Sequence, residues 1–124
     1  MINRSKKDLG RQGENQAVDF LVRQGYKILD RNFRNRLGEI DIIAFHRGVI
    51  CFIEVKTRRT SFSGTPYEAI SKRKQLKLAQ LALSYLKYKK LLDRPARFDV
   101  VAVFDGVNDA GQVEIIQNAF DLPA

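Results

Sequence analysis

The chain has one cysteine, one histidine and no apolar run approaching the roughly 20 residues of a membrane-spanning helix. One cysteine excludes an internal disulfide. Cys51 lies inside an apolar stretch, where it packs as a small hydrophobe rather than reacting. One histidine cannot build a zinc site, and His46, beside the Arg47-Gly48 turn, reads as a surface residue. Met1 to Arg11 is basic and polar with no apolar core, so it is not a secretory signal. Repeats, linkers and low-complexity tracts are missing too. These absences give the expectation of one reduced, cytoplasmic, soluble domain over residues 1–124. A basic arm at about 1–8 and a tail at about 120–124 would flank it.

What the chain has in excess is positive charge. Its 22 Lys and Arg against 14 Asp and Glu give a net charge of +8, which favours polyanions. The distribution says more than the total. Arg11, the pair Arg34 and Arg36, and the pair Arg58 and Arg59 fall in polar stretches. Lys72 and Lys74 crowd the start of a helix, where cations oppose the dipole. An external anion would explain that placement.

Periodicity sets out the elements. Ala17, Val18, Phe20 and Leu21 form a helical stripe that Gly25 ends, and Glu14 lies on its inward face. A first-turn acid complementing the dipole is the equally simple reading of Glu14. Tyr26–Phe33 alternates as an edge strand, Asn35–Gly38 closes a hairpin into Glu39–Phe45, and Arg47-Gly48 turns into Val49–Lys56. Thr65-Pro66-Tyr67-Glu68 reads as a helix start and Ser71 as a second N-cap, with a long helix to about Lys90. Ala69, Leu76, Ala79, Ala82, Leu83 and Leu86 would supply its buried stripe. Strands follow at 97–104 and 112–119. The order α-β-β-β-α-β-β predicts an α/β fold, a mixed five-stranded sheet with a parallel crossover through the long helix.

One strand is odd. Val49–Val55 would pass as buried, yet Glu54 and Lys56 stand two residues apart on one face at its end. Asp41 on the hairpin partner can lie beside Glu54, and Glu14 faces inward. Carboxylates gathered this way repel one another unless a cation sits between them. Oxygen donors favour Mg²⁺ or Mn²⁺. Glu39 shares the face of Asp41 as a rival acid, and Arg97 with Asp99 reads as a structural ion pair.

The acid on a hairpin followed by Glu54-Val55-Lys56 resembles the PD-(D/E)xK nuclease superfamily, with Glu14 matching its helix glutamate. The run Gly10–Ala17, with G-E-I-D-I-I-A, F-I-E-V-K-T-R and R-F-D-V-V-A-V, resembles the YraN-type bacterial family, similar to archaeal Holliday-junction resolvases. The likeness spans residues 10 to 122. Ile40 stands where the literal proline would precede Asp41. The resemblance implies a restriction-endonuclease-like three-layer core. It further implies Asp41, Glu54, Glu14 and the Val55 carbonyl as ligands of Mg²⁺ or Mn²⁺, and Lys56 as the residue that positions or activates water. Gln75 matches a polar helix residue, joining Arg11, Arg34, Arg36, Arg58, Arg59, Lys72 and Lys74 as a nucleic-acid contact. The implied activity is a metal-dependent endonuclease acting on DNA, with branched or junction DNA as the expected substrate. A homodimer would present two sites to such a junction. The alternatives are a non-catalytic nucleic-acid-binding module of the same fold and an RNA-processing nuclease.

Overall fold

The computed structural model describes residues 6–58, 70–104 and 112–120, the side chains of residues 6–9, 58 and 112 excepted. Its elements are α1 (Lys6–Arg23), β1 (Lys27–Asn35), β2 (Gly38–His46), β3 (Val49–Arg58), α2 (Lys72–Tyr88), β4 (Ala96–Phe104) and β5 (Gln112–Phe120). The strands form one mixed sheet in the order β1-β2-β3-β4-β5. β1, β2 and β3 run antiparallel, β4 is parallel to β3, and β5 is antiparallel to β4. The fold class is therefore the α/β class expected from the sequence.

Turn chemistry sets these boundaries. The α1 C-terminus closes with Tyr26 N–H on the Leu21 carbonyl (2.9 Å) and Gly25 N–H on the Val22 carbonyl (3.1 Å). That pattern needs a left-handed residue, which Gly25 supplies at φ 92°. The β2–β3 turn has Arg47 and Gly48 both at positive φ, the two-residue link whose twist suits a hairpin. In the β1–β2 turn the Asn35 carboxamide accepts from Leu37 N–H at 2.8 Å. Ser71 caps α2 by accepting from Lys74 N–H at 3.1 Å. The expected start at Thr65–Glu68 lies outside the described residues.

Each face of the sheet carries a helix. α1 lays Ala17 and Leu21 on Ile42, Ala44, Cys51, Ile53 and Val101. α2 covers the other face, packing on Ile43, Phe52, Phe98 and Val100. The α2 stripe is corrected by the structure. Leu78, Ala79, Leu81, Ala82, Tyr85 and Leu86 are buried, while Leu76 and Leu83 are each 52% exposed. Both sets have helical spacing. Tyr85 decides the phase, because its ring meets Phe33 and Phe52 edge-on and its hydroxyl donates to Asp30 at 2.7 Å.

Candidate active site

Glu14 is placed by the packing of α1. Gly10, Glu14, Ala17 and Leu21 follow one another at helical spacing, and Ala17 and Leu21 are fully buried. Gly13 lets the helix approach β3, since a Cβ there would collide with Thr57 Oγ1. Close approach at Gly13 thus fixes the depth of Glu14. Burial and the neighbouring Asp41 raise the Glu14 pKa above the usual carboxylate range, with Arg31 opposing them.

Asp41 and Glu54 sit where the β2–β3 ladder ends. The last pair is Ile42 opposite Ile53, so Asp41 and Glu54 occupy the next positions on their strands. Asp41 Oδ2 accepts from the Val55 N–H at 2.8 Å instead of leaving that donor to a strand partner. Strict alternation fails around Asp41, because Ile40 and Ile43 pack in the α2-side cluster and Ile42 in the α1-side cluster. A strand residue's N–H and C=O leave on the same edge, so the Val55 carbonyl faces the β2 side as well. Burial raises the Asp41 pKa, the Val55 N–H opposing it and Glu39 adding to it.

Glu54 is only 8% exposed. Ile40, Phe52, Leu78 and Phe98 line the crevice beside it. Its Oε1 meets Lys74 Nζ at 3.6 Å and Lys56 Nζ at 4.0 Å, and its Oε2 is buried without a hydrogen-bond partner among the described residues. Burial first, then the Asp41 charge, pushes its pKa up to about 7 despite both lysines. A buried carboxylate oxygen without a donor asks for a proton or a cation.

Glu39 is the acid that sequence reasoning left at the margin. Carboxylate oxygens of Glu14, Glu39 and Asp41 all lie within 4.8 Å of one another, a set to which Glu54 does not belong. Asn32 joins them: with its amide nitrogen turned to the acids it donates to Glu14 Oε1 (3.0 Å) and Glu39 Oε1 (3.3 Å). It does so from a left-handed backbone at φ 54°, which asparagine tolerates better than most residues. An asparagine within an otherwise basic, alternating strand was the available signal. Arg34 pairs with Glu39 from the solvent side. Beside the acids lies a cleft of about 580 Å³, lined among others by Arg11, Asn15, Arg31 and Arg34.

The remaining expected contact residues fall in several places. Arg36 is exposed in the β1–β2 turn and Lys72 at the start of α2. Lys74 reaches Glu54, and Gln75 Nε2 donates to the Ile70 carbonyl at 3.2 Å. Arg58 ends β3, its side chain lying outside the described residues, as does all of Arg59.

A second polar cluster is built around Arg97 and Asp99 of β4, where Asp99 pairs with Ile53, the residue before Glu54. Arg97 Nε donates to both Asp99 oxygens at 3.1 Å, and the Asn118 N–H donates to Asp99 Oδ1 at 2.9 Å. Tyr26 OH receives Arg97 Nη2 (2.9 Å) and Gln117 Nε2 (2.8 Å). His46 belongs to this cluster and is 8% exposed, which corrects its reading as a surface residue. Its ring stacks on Tyr26 at 4.0 Å between centroids, and Nδ1 lies 3.1 Å from Arg97 Nη2. Burial and Arg97 lower its pKa. Burial pushes the Cys51 thiol up to about 12, in keeping with a packing role.

Fold and geometry define a mixed α/β domain with a carboxylate-rich site beside a Glu-x-Lys strand end. Residues 13–103 match the model of an "Uncharacterised protein family UPF0102". A UPF0102 protein of Trichlorobacter lovleyi is 46% identical over 123 residues, covering 98% of this chain and 97% of its own. UPF0102 proteins of Caldicellulosiruptor bescii (47% over 116 residues; 92% and 98% covered) and Symbiobacterium thermophilum (48% over 112; 90% and 95%) are similarly close. The chain belongs to the UPF0102 family, the YraN-type family it resembles in sequence. Among the described residues no helix is long and apolar enough to cross a membrane.

Proposed function

We propose that the protein is a metal-dependent endonuclease that hydrolyses phosphodiester bonds in DNA, with branched or junction DNA as its substrate. The observation that carries this reading is the buried Glu54, its Oε2 unpartnered among the described residues, beside Asp41 and the Glu14–Glu39–Asp41 group. These donors are all oxygen, which suits Mg²⁺ or Mn²⁺ rather than zinc. Asp41, Glu14 and the Val55 carbonyl would hold the cation, with Glu39 as a further carboxylate; Glu54, outside that group in this structure, would join by turning its side chain toward Asp41. When bound, such a cation neutralises charge developing on the phosphate.

The protein's own groups divide the remaining work. The Val55 N–H fixes Asp41 in one orientation. Lys56, on the same face as Glu54 and with its side chain 24% exposed, orients the attacking water. That water's oxygen bonds to phosphorus as the bond to the leaving oxygen breaks. Arg11, Arg34, Arg36 and Lys72 hold the flanking phosphates. Incubation with branched, flapped and linear DNA and Mg²⁺ or Mn²⁺ tests the reading. Cleavage by wild type, reduced about a thousandfold in Asp41→Ala and Lys56→Ala, is expected. No cleavage by wild type, or equal cleavage by the variants, contradicts it.

One contact favours a second reading. Lys74 already compensates part of the Glu54 charge, as a non-catalytic nucleic-acid-binding module would require. Salt-dependent binding that Glu54→Ala leaves unchanged, with no cleavage, would select that module. Competition among duplex DNA, junction DNA and structured RNA separates DNA from RNA substrates.

A further inference from the structure

Gly10 lies inside the 18-residue helix α1, where glycine costs about 1 kcal/mol relative to alanine. Neither packing nor backbone conformation calls for it. A Cβ there would meet nothing within 4 Å, and its φ is not in the left-handed range. What Gly10 does border is the cleft of about 580 Å³ beside the acids. A side chain at this position would project into that space, one turn before Glu14 on the same helix face.

The cleft has the size and chemistry of a site for one nucleotide. Its volume falls in the range of small-ligand pockets, about 300–1,000 Å³. Arg31 Nη2 donates to Asn15 Oδ1 at 2.8 Å, which holds its guanidinium plane in place on the wall. Fixed guanidinium planes stack on unpaired bases. Arg11 is exposed and makes no ion pair among the described residues, so it can meet a phosphate. Glu14 and Glu39 line the cleft and also belong to the acid group, so the cleft adjoins the place assigned to the scissile phosphate.

Resting on the nuclease reading, we propose that this cleft takes one unpaired nucleotide adjoining the cleaved phosphate. The site therefore recognises an interruption in base pairing rather than a continuous duplex. Gly10 is the residue that keeps the cleft open, and Arg31 is the platform for the base.

The test uses the full chain and a DNA flap carrying 2-aminopurine at the first unpaired position, without divalent metal for binding and with Mn²⁺ for cleavage. A series Gly10→Ala, Gly10→Leu, Gly10→Phe fills the cleft progressively. Flap affinity should fall with side-chain volume, by about tenfold at phenylalanine, the effect of losing one base stack. The thermal midpoint should not fall, since the added atoms meet open space. Should Gly10→Phe lower that midpoint, Arg31→Ala replaces it and should erase the preference for flap over duplex. Equal flap affinity of wild type and the filled variants, or no preference of wild type for flap over paired DNA, overturns the proposal. Wild type that binds flaps selectively but cuts nothing supports the cleft and overturns the nuclease reading.

Discussion

Two clusters of charge sit on neighbouring strands of one sheet, and the protein treats them in opposite ways. In one, Asp99, 1% exposed, receives Arg97 twice and the Asn118 N–H, and Arg97 is shared with Tyr26 and His46. Donors and acceptors there satisfy one another within the protein. In the other, Glu14, Asp41 and Glu54 all have raised pKa values, and Glu54 Oε2 has no hydrogen-bond partner among the described residues. Burial without full compensation is a cost in the isolated protein. The difference separates charge that holds the fold from charge kept for something external.

Removing one partner should therefore have opposite signs in the two clusters. The largest stability effect is expected in the compensated cluster. Asp99→Ala should cost about 3–5 kcal/mol in denaturant unfolding, because it removes a buried acid and leaves the part-buried Arg97 and the Asn118 N–H without their acceptor. A loss below about 1 kcal/mol would erase the contrast.

Next in size is a pH effect at the acid site. The Glu54 pKa is raised from 4.5 to about 7, so folding favours its protonated form. Its burial costs nothing below about pH 4.5, and the protein loses on the order of a few kcal/mol as pH rises through about 7. Glu14 and Asp41 act with the same sign. Glu54→Gln should flatten this fall and leave the protein more stable than wild type at about pH 8. Lower stability of Glu54→Gln at that pH would show that Lys56 and Lys74 already satisfy the carboxylate.

Gly13 gives a smaller effect. Alanine in a helix normally gains about 1 kcal/mol over glycine, but at Gly13 it meets Thr57 Oγ1. Gly13→Ala should therefore destabilise alone and become neutral or stabilising in a Thr57→Ala background, a non-additivity read from the four thermal midpoints. The smallest effect is at Leu83, 52% exposed, where Leu83→Gln should change stability by less than about 0.5 kcal/mol.

Legibility followed the range of the interactions. Local signals were readable: the Gly25 and Ser71 caps, both hairpins and the element order all rest on residues within a few positions of one another. Glu14 shares the face of Ala17 and Leu21, but a first-turn reading was equally open until α1 proved to start at Lys6. The α2 phase was not readable, because Leu76 and Leu83 compete with Leu78, Leu81 and Tyr85 at the same period. Only contacts from β1 and β3 to Tyr85 decide between them. His46 was misread for the same reason: its burial comes from Tyr26 and Arg97, far away in sequence. Glu39 entered the acid group through Asn32, whose left-handed backbone follows a register shift between Ile28 and Asp30.

The most direct measurement is the thermal midpoint of wild type, Asp41→Asn and Leu83→Gln at about pH 8 across a Mn²⁺ titration. If the acids are kept for a cation, wild type and Leu83→Gln should gain stability with Mn²⁺. That gain should approach about 2.7 kcal/mol at a hundred times the dissociation constant, and Asp41→Asn should lose most of it. No rise in wild type, or the same rise in Asp41→Asn, would contradict a cation site at Asp41.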